Sequence, residues 1–201
     1  VGEGAAGIVY ECTDLRLDRL VAVKLGPPLE ASVPQHQRFL REARTMAEVS
    51  DPGTIVVYDF GVLSDTGQAF IAMELLRGHS LEDELEIHGT IRLKEIVAWL
   101  GPVADALDVL HARGVVHRDV KPANVLFRTV DAADGAQVRA MLGDLGLGKA
   151  LDASSRLTMI AGTPSYVAPE QAQAESPDAR ADQYSLGALA YLLLSGRPAF
   201  R

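Results

Sequence analysis

Apolar and polar residues alternate over short runs in the first third of the chain and fall into helical periods after it. Ile8-Val9-Tyr10-Glu11-Cys12 and Leu20-Val21-Ala22-Val23-Lys24-Leu25 read as strands on either side of a polar turn at Asp14 to Arg19. Gly26-Pro27-Pro28 breaks that pattern. From Gln35 to Val49 the period changes, and Phe39, Ala43, Met46 and Ala47 recur on one helical face. Ile55 to Phe60 and Ala69 to Leu75 are again strand-like, divided by the turn residues Ser64-Asp65-Thr66-Gly67. A β-rich lobe over residues 1–76 is therefore expected, with Arg77-Gly78 as the crossover. Residues 77–201 read as mainly helical: Ser80 to His88, Leu93 to Arg113, and an apolar helix starting near Asp182. Two short strands, Val125 to Phe127 and Val138 to Leu142, suggest a hairpin whose polar connection, Thr129 to Gln137, is expected to be a solvent-exposed excursion. A long irregular segment follows from Leu145 to about Pro164. This order predicts an α+β fold in two lobes.

Bulk properties narrow the function classes. With 201 residues, 48 % of them hydrophobic and 23 % charged, the chain can bury a sizeable core. A net charge of −8 argues against a nucleic-acid-binding surface, but not against phosphate held by a local cluster of donors and cations. The single cysteine, Cys12, permits no intrachain disulfide and fits a reducing, cytoplasmic setting. Leu186 to Leu194, the most apolar stretch, is too short to span a membrane and reads as a buried helix.

Chemistry concentrates in His117-Arg118-Asp119-Val120-Lys121-Pro122-Ala123-Asn124-Val125-Leu126. A carboxylate, a lysine and a carboxamide stand there at fixed offsets before a strand. Phosphoryl transfer needs such a set: a carboxylate to orient a hydroxyl and accept its proton, a cation for the phosphoryl group, and neutral oxygen for a metal ion. Gly2-Glu3-Gly4-Ala5-Ala6-Gly7-Ile8-Val9 is a glycine-rich turn. It leads into strands rather than opening a helix, unlike a dinucleotide-binding turn. Read alone, Lys24 would be an exposed strand end, Glu42 an exposed helix residue and Asp182 a helix N-cap.

Together, in order, these motifs resemble those of the protein kinases: the glycine-rich loop, Val21-Ala22-Val23-Lys24, His117 to Asn124, Gly143-Asp144-Leu145-Gly146, and Gly162-Thr163-Pro164 through Ala168-Pro169-Glu170. Lys121 and Gly162-Thr163 are similar to Ser/Thr kinases, and Pro169-Glu170-Gln171-Ala172 to their bacterial members. The resemblance implies a protein-kinase-like fold with a β-rich N-lobe and an incomplete, mainly helical C-lobe, the chain being cut within the family's domain at both ends. It implies ATP with Mg²⁺, or Mn²⁺ in its place, and a protein Ser/Thr hydroxyl as acceptor. Asp119, Lys121, Lys24 and Asn124 would be catalytic, with Asn124 and Asp144 holding metal. Gly2, Gly4, Gly7 and Lys24 would contact phosphates, Lys24 held by Glu42, with Glu48 the nearby alternative. Val9, Ala22 and Leu126 would sandwich the adenine, Met73 would guard the back pocket, and the backbone of Glu74 and Leu76 would bond the adenine edge. His117 is expected to pack rather than catalyse, in an apolar column with Met46, Tyr58 and Leu145. Asp182 would accept N–H groups of the catalytic loop.

The same resemblance implies regulation through Arg118, Lys149 and Arg38 facing a phosphate on Thr158, Ser155 or Ser154, and autophosphorylation within a dimer. Ser80 and Ala123 stand where basic-directed kinases carry carboxylates, so no strict arginine preference is expected. The alternative is a pseudokinase-type binding scaffold.

Overall fold

The computed structural model describes residues 2–4, 7–28, 33–49, 51–132, 135–144, 164–173 and 177–200. Leu145, Lys149, Ser154, Ser155, Thr158, Gly162 and Thr163 lie outside them, as do the side chains of Arg38 and Glu42. Two compact units result. Val1–Ser50 and Ile55–Leu75 belong to one; Asp51–Thr54, Leu76–Leu145 and Thr163–Arg201 belong to the other.

The first unit is an antiparallel sheet of β1 (Gly2–Gly4), β2 (Gly7–Asp14), β3 (Arg19–Pro28), β4 (Val57–Val62) and β5 (Gln68–Glu74) in the order β1-β2-β3-β5-β4. The central strand is the one whose sequence is nearly all apolar, and Val21 and Ala22 are buried there. Gly26-Pro27-Pro28 does not end β3. The strand runs on to Pro28, and the break in pattern becomes a shift of register against β5 between Leu25 and Pro28. Helix α1 (Val33–Ala47) lies against β4 and buries Phe39, Ala43 and Met46 of the predicted face, while Ala47 at its end is partly exposed.

Tyr58 departs from expectation. It is 38 % exposed, and the guanidinium of Arg19 sits 3.6 Å from its ring centre. A cation–π contact at the surface replaces the predicted place in an apolar column.

In the second unit, α2 (Leu81–His88) is started by a capping box: Ser80 Oγ accepts Asp83 N–H, and the Asp83 carboxylate accepts Ser80 N–H. Helix α3 (Leu93–His111) buries Ile96, Leu100, Val103, Ala106, Leu107 and Leu110 on one stripe. The crossover glycine has a steric reason: a Cβ on Gly78 would lie 2.1 Å from the carbonyl oxygen of Phe127.

Strands β6 (Val125–Ala132) and β7 (Gly135–Leu142) correct the hairpin expectation. The ladder is continuous from Val125↔Leu142 to Ala132↔Gly135, so the described residues of the polar stretch, Thr129 to Ala132 and Gly135 to Gln137, are strand rather than excursion. On β7, consecutive residues Gln137, Val138 and Arg139 are all exposed, so both faces of that part of the strand meet water. After the short helix α4 (Pro169–Ala172) comes α5 (Ala179–Ser195). It begins three residues before Asp182, because Asp178 is the cap and accepts Arg180 N–H.

Candidate active site

The loop between α3 and β6 is shaped by one buried carboxylate. Asp182, in the first turns of α5, has no exposed surface. Its Oδ2 accepts His117 N–H at 2.8 Å and its Oδ1 accepts Arg118 N–H at 2.7 Å. His111, at the end of α3, brings Nε2 to 2.7 Å from the same Oδ2. Three polar contacts offset the cost of burying this charge. Asp182 is therefore a tie to the loop and not the N-cap that its position near a helix start would suggest.

His117 is also fully buried. Its Nδ1 accepts Asp119 N–H at 3.3 Å, so Nε2 carries the hydrogen that goes to the Gly143 carbonyl at 3.0 Å. Both ring nitrogens are engaged inside the protein, which leaves the ring no route to a substrate. Arg118 holds φ +66°, a left-handed conformation that non-glycine residues adopt only under constraint.

Pro122 opens a 3-10 turn, Pro122–Asn124, which swings Asn124 back over the loop. Asn124 Nδ2 donates to the Asp119 carbonyl at 2.7 Å and to Asp119 Oδ2 at 2.9 Å. Lys121 Nζ reaches the same Oδ2 at 2.9 Å. A carboxylate, an ammonium and a carboxamide are thus in contact. Gly143 N–H donates to the Asn124 carbonyl at 2.8 Å, so Asp144, the next residue, lies beside Asn124, with φ +49°.

The Asn124 amide oxygen and the Asp144 carboxylate are hard oxygen donors, suited to Mg²⁺ or Mn²⁺ rather than to a thiolate-seeking metal. Among the described residues there is no His/Cys/Asp/Glu cluster of three or more with metal-binding geometry. A metal held here would complete its shell with phosphate and water oxygen.

The first unit carries the other candidates. Gly2, Gly4 and Gly7 lie at the β1–β2 turn, where Gly2 pairs with Val9 and Gly4 with Gly7. Val9 pairs with Lys24, Ala22 with Met73 and Val21 with Glu74, so these residues lie within four consecutive positions of the central strand and its partners. Lys24 is only 7 % exposed, which rules out an exposed strand end. Glu42 is on α1, and Glu48, the alternative, is exposed just beyond it. Glu74 N–H is taken by the Val56 carbonyl at 2.9 Å, so any contact from Glu74 to an adenine edge falls to its carbonyl oxygen. Leu126, in the second unit, is on β6 opposite Met141.

The family model described as "Protein kinase domain" matches residues 1–201. The chain belongs to the protein kinase family. The serine/threonine-protein kinase PknA of Mycobacterium tuberculosis is 37 % identical over 206 residues, covering all of this chain and 46 % of that protein. A probable serine/threonine-protein kinase PknB of Bifidobacterium longum is 35 % identical and is covered to 30 %. The chain thus spans about half or less of the length of these curated relatives. Among solved structures, a point mutant of the PknI kinase domain of Mycobacterium tuberculosis is similar with a TM-score of 0.79 at 31 % identity. That match covers all of this chain and 74 % of the other. The fold is that of a kinase domain, strand-rich in its first unit and helical in its second.

Two side chains to which the sequence reading gave no role also touch the loop that carries Asp119 or the segment beside it. Gln171 Nε2 donates to the Arg118 carbonyl at 3.1 Å, and Ser185 Oγ donates to the Tyr166 carbonyl at 2.7 Å. Glutamine and serine are common on helices, and only their contacts single these out. Tyr166, half-buried, has its phenol pushed up to about 12, first by burial and then by the charge of Glu82. It stays protonated at neutral pH.

Proposed function

We propose that the chain is the catalytic part of an ATP-dependent Ser/Thr protein kinase, with residues 1–76 as N-lobe and 77–201 as partial C-lobe. The observation that carries this reading is the Asp119–Lys121–Asn124 contact set, in which one carboxylate oxygen meets both an ammonium and a carboxamide. In this reading Asp119 orients the substrate hydroxyl and accepts its proton. Lys121, whose ammonium lies 2.9 Å from that carboxylate, neutralises charge on the transferring phosphoryl group. Asn124 holds Asp119 by its amide nitrogen and offers its amide oxygen to a metal ion, with Asp144 as the second ligand. When bound, Mg²⁺ or Mn²⁺ would neutralise phosphate charge.

Gly2, Gly4, Gly7 and Lys24, supported by Glu42, would bind phosphates, and Val9, Ala22, Met73, Glu74, Leu76 and Leu126 the adenine. The acceptor would be a protein Ser or Thr, with autophosphorylation in a dimer and regulation by phosphate on the segment after Asp144. No described helix is long and apolar enough to cross a membrane. A cytoplasmic catalytic domain fits the reducing setting inferred from Cys12.

The test is phosphoryl transfer by the full-length protein with ATP and Mg²⁺ or Mn²⁺. Asp119→Asn should cut kcat about 10²–10⁴-fold with nucleotide affinity nearly unchanged. Nucleotide binding without turnover in the wild type would favour the scaffold alternative instead.

A further inference from the structure

The backbone of Arg118 is held from both sides. Its N–H is taken by Asp182 Oδ1 at 2.7 Å, from α5, and its carbonyl by Gln171 Nε2 at 3.1 Å, from α4. Between them the residue keeps φ +66°. A non-glycine residue stays in that region only where the surroundings over-determine it. The next residue is Asp119.

Gln171 is 7 % exposed and uses both ends of its amide. Its Oε1 accepts Ala168 N–H at 3.4 Å while its Nε2 donates to Arg118. The amide orientation follows from its partners, since a flip would set oxygen against carbonyl and nitrogen against N–H. The segment that supplies Gln171 is itself fixed, because Ser185 Oγ holds the Tyr166 carbonyl at 2.7 Å. One side chain therefore joins the Pro164–Ala172 segment to the strained peptide preceding the carboxylate of the active site.

We infer that Gln171 is a positioning residue that sets the orientation of Asp119 by clamping the Arg118 carbonyl, so that the state of the Pro164–Ala172 segment is conveyed to the catalytic carboxylate. This rests on the kinase reading above. With the clamp lost, the Arg118–Asp119 peptide can relax out of the left-handed region, and the Asp119 side chain turns with it. ATP binding is not expected to change, because the bond touches no group assigned to the nucleotide.

Gln171→Glu tests this in the full-length protein. An ionised glutamate can still accept Ala168 N–H, but it sets an acceptor against the Arg118 carbonyl. Burial raises a carboxyl's pKa, and the protonated form regains an O–H donor at that place. The expected result is a kcat about tenfold below wild type at pH 8.5, with KM for ATP unchanged. The ratio to wild type should climb toward one as pH falls to about 6. Gln171→Met, which can neither donate nor regain a donor, should show the kcat loss at every pH.

Both are scored per folded molecule, with the folded fraction taken from a thermal melt. A purely structural role would lower the melting temperature and leave kcat per folded molecule at wild type, which overturns the inference. A variant-to-wild-type ratio for Gln171→Glu that is flat with pH overturns it as well. Absence of transfer by the wild type itself would count against the kinase reading instead.

Discussion

The catalytic loop and the β6–β7 ribbon that follows it are held in opposite ways. The loop's backbone is tied to Asp182, 65 residues from His117 and 64 from Arg118, and to Gln171, 53 residues from Arg118. The ribbon is tied to itself, rung by rung, from Val125↔Leu142 to Ala132↔Gly135. Local ladders form from neighbours in sequence and can be lengthened or trimmed at small cost. In the loop, near neighbours satisfy the Asp119 carboxylate, but the strained Arg118 backbone is held by distant partners, Asp182 and Gln171.

The largest expected break of this contrast is Asp182→Ala. It removes the acceptor of two backbone N–H groups and of His111 in one step. Leaving these buried donors unpaired should cost about 3 kcal/mol, read as a lower urea midpoint. Transfer should fall with it. A variant that folds as stably as wild type with normal kcat would mean that the loop holds itself.

A smaller effect is expected at the cap of α2, another locally determined feature. The Asp83 carboxyl is held below its usual range by Ser80 N–H and then by the Ser80 hydroxyl. A depressed folded pKa gives stability that is present above the unfolded value of about 4 and is lost as pH falls through the folded one. Asp83→Ala should therefore cost at most about 1 kcal/mol at pH 7, and the difference from wild type should shrink below about pH 4. Urea melts of the pair at pH 7 and pH 3 measure it. A difference that grows with acid would contradict the cap.

The smallest effect is expected from the ribbon. Replacing Val130 to Gln137 by a two-residue turn shortens the ladder at the end away from Val125 and Asn124. Stability and kcat should both stay within about twofold of wild type. A large loss of turnover with the fold intact would assign the ribbon a working part.

The chain's own pattern determined the strands of the first unit, the stripe of α1 and the helices α2 and α3, because period and punctuation act between near neighbours. It also brought the candidate residues Asp119, Lys121 and Asn124 together, since they lie within six residues of one another and a short turn closes the distance. Only the tertiary structure decided the rest. Tyr58 faces Arg19 rather than an apolar column, Asp182 ties the backbone of His117 and Arg118 rather than capping its own helix, and Gln171 reaches Arg118. Each depends on a partner that no periodicity marks. A tyrosine, an aspartate or a glutamine suits several environments almost equally, and the environment is chosen by segments that meet only when the chain has folded.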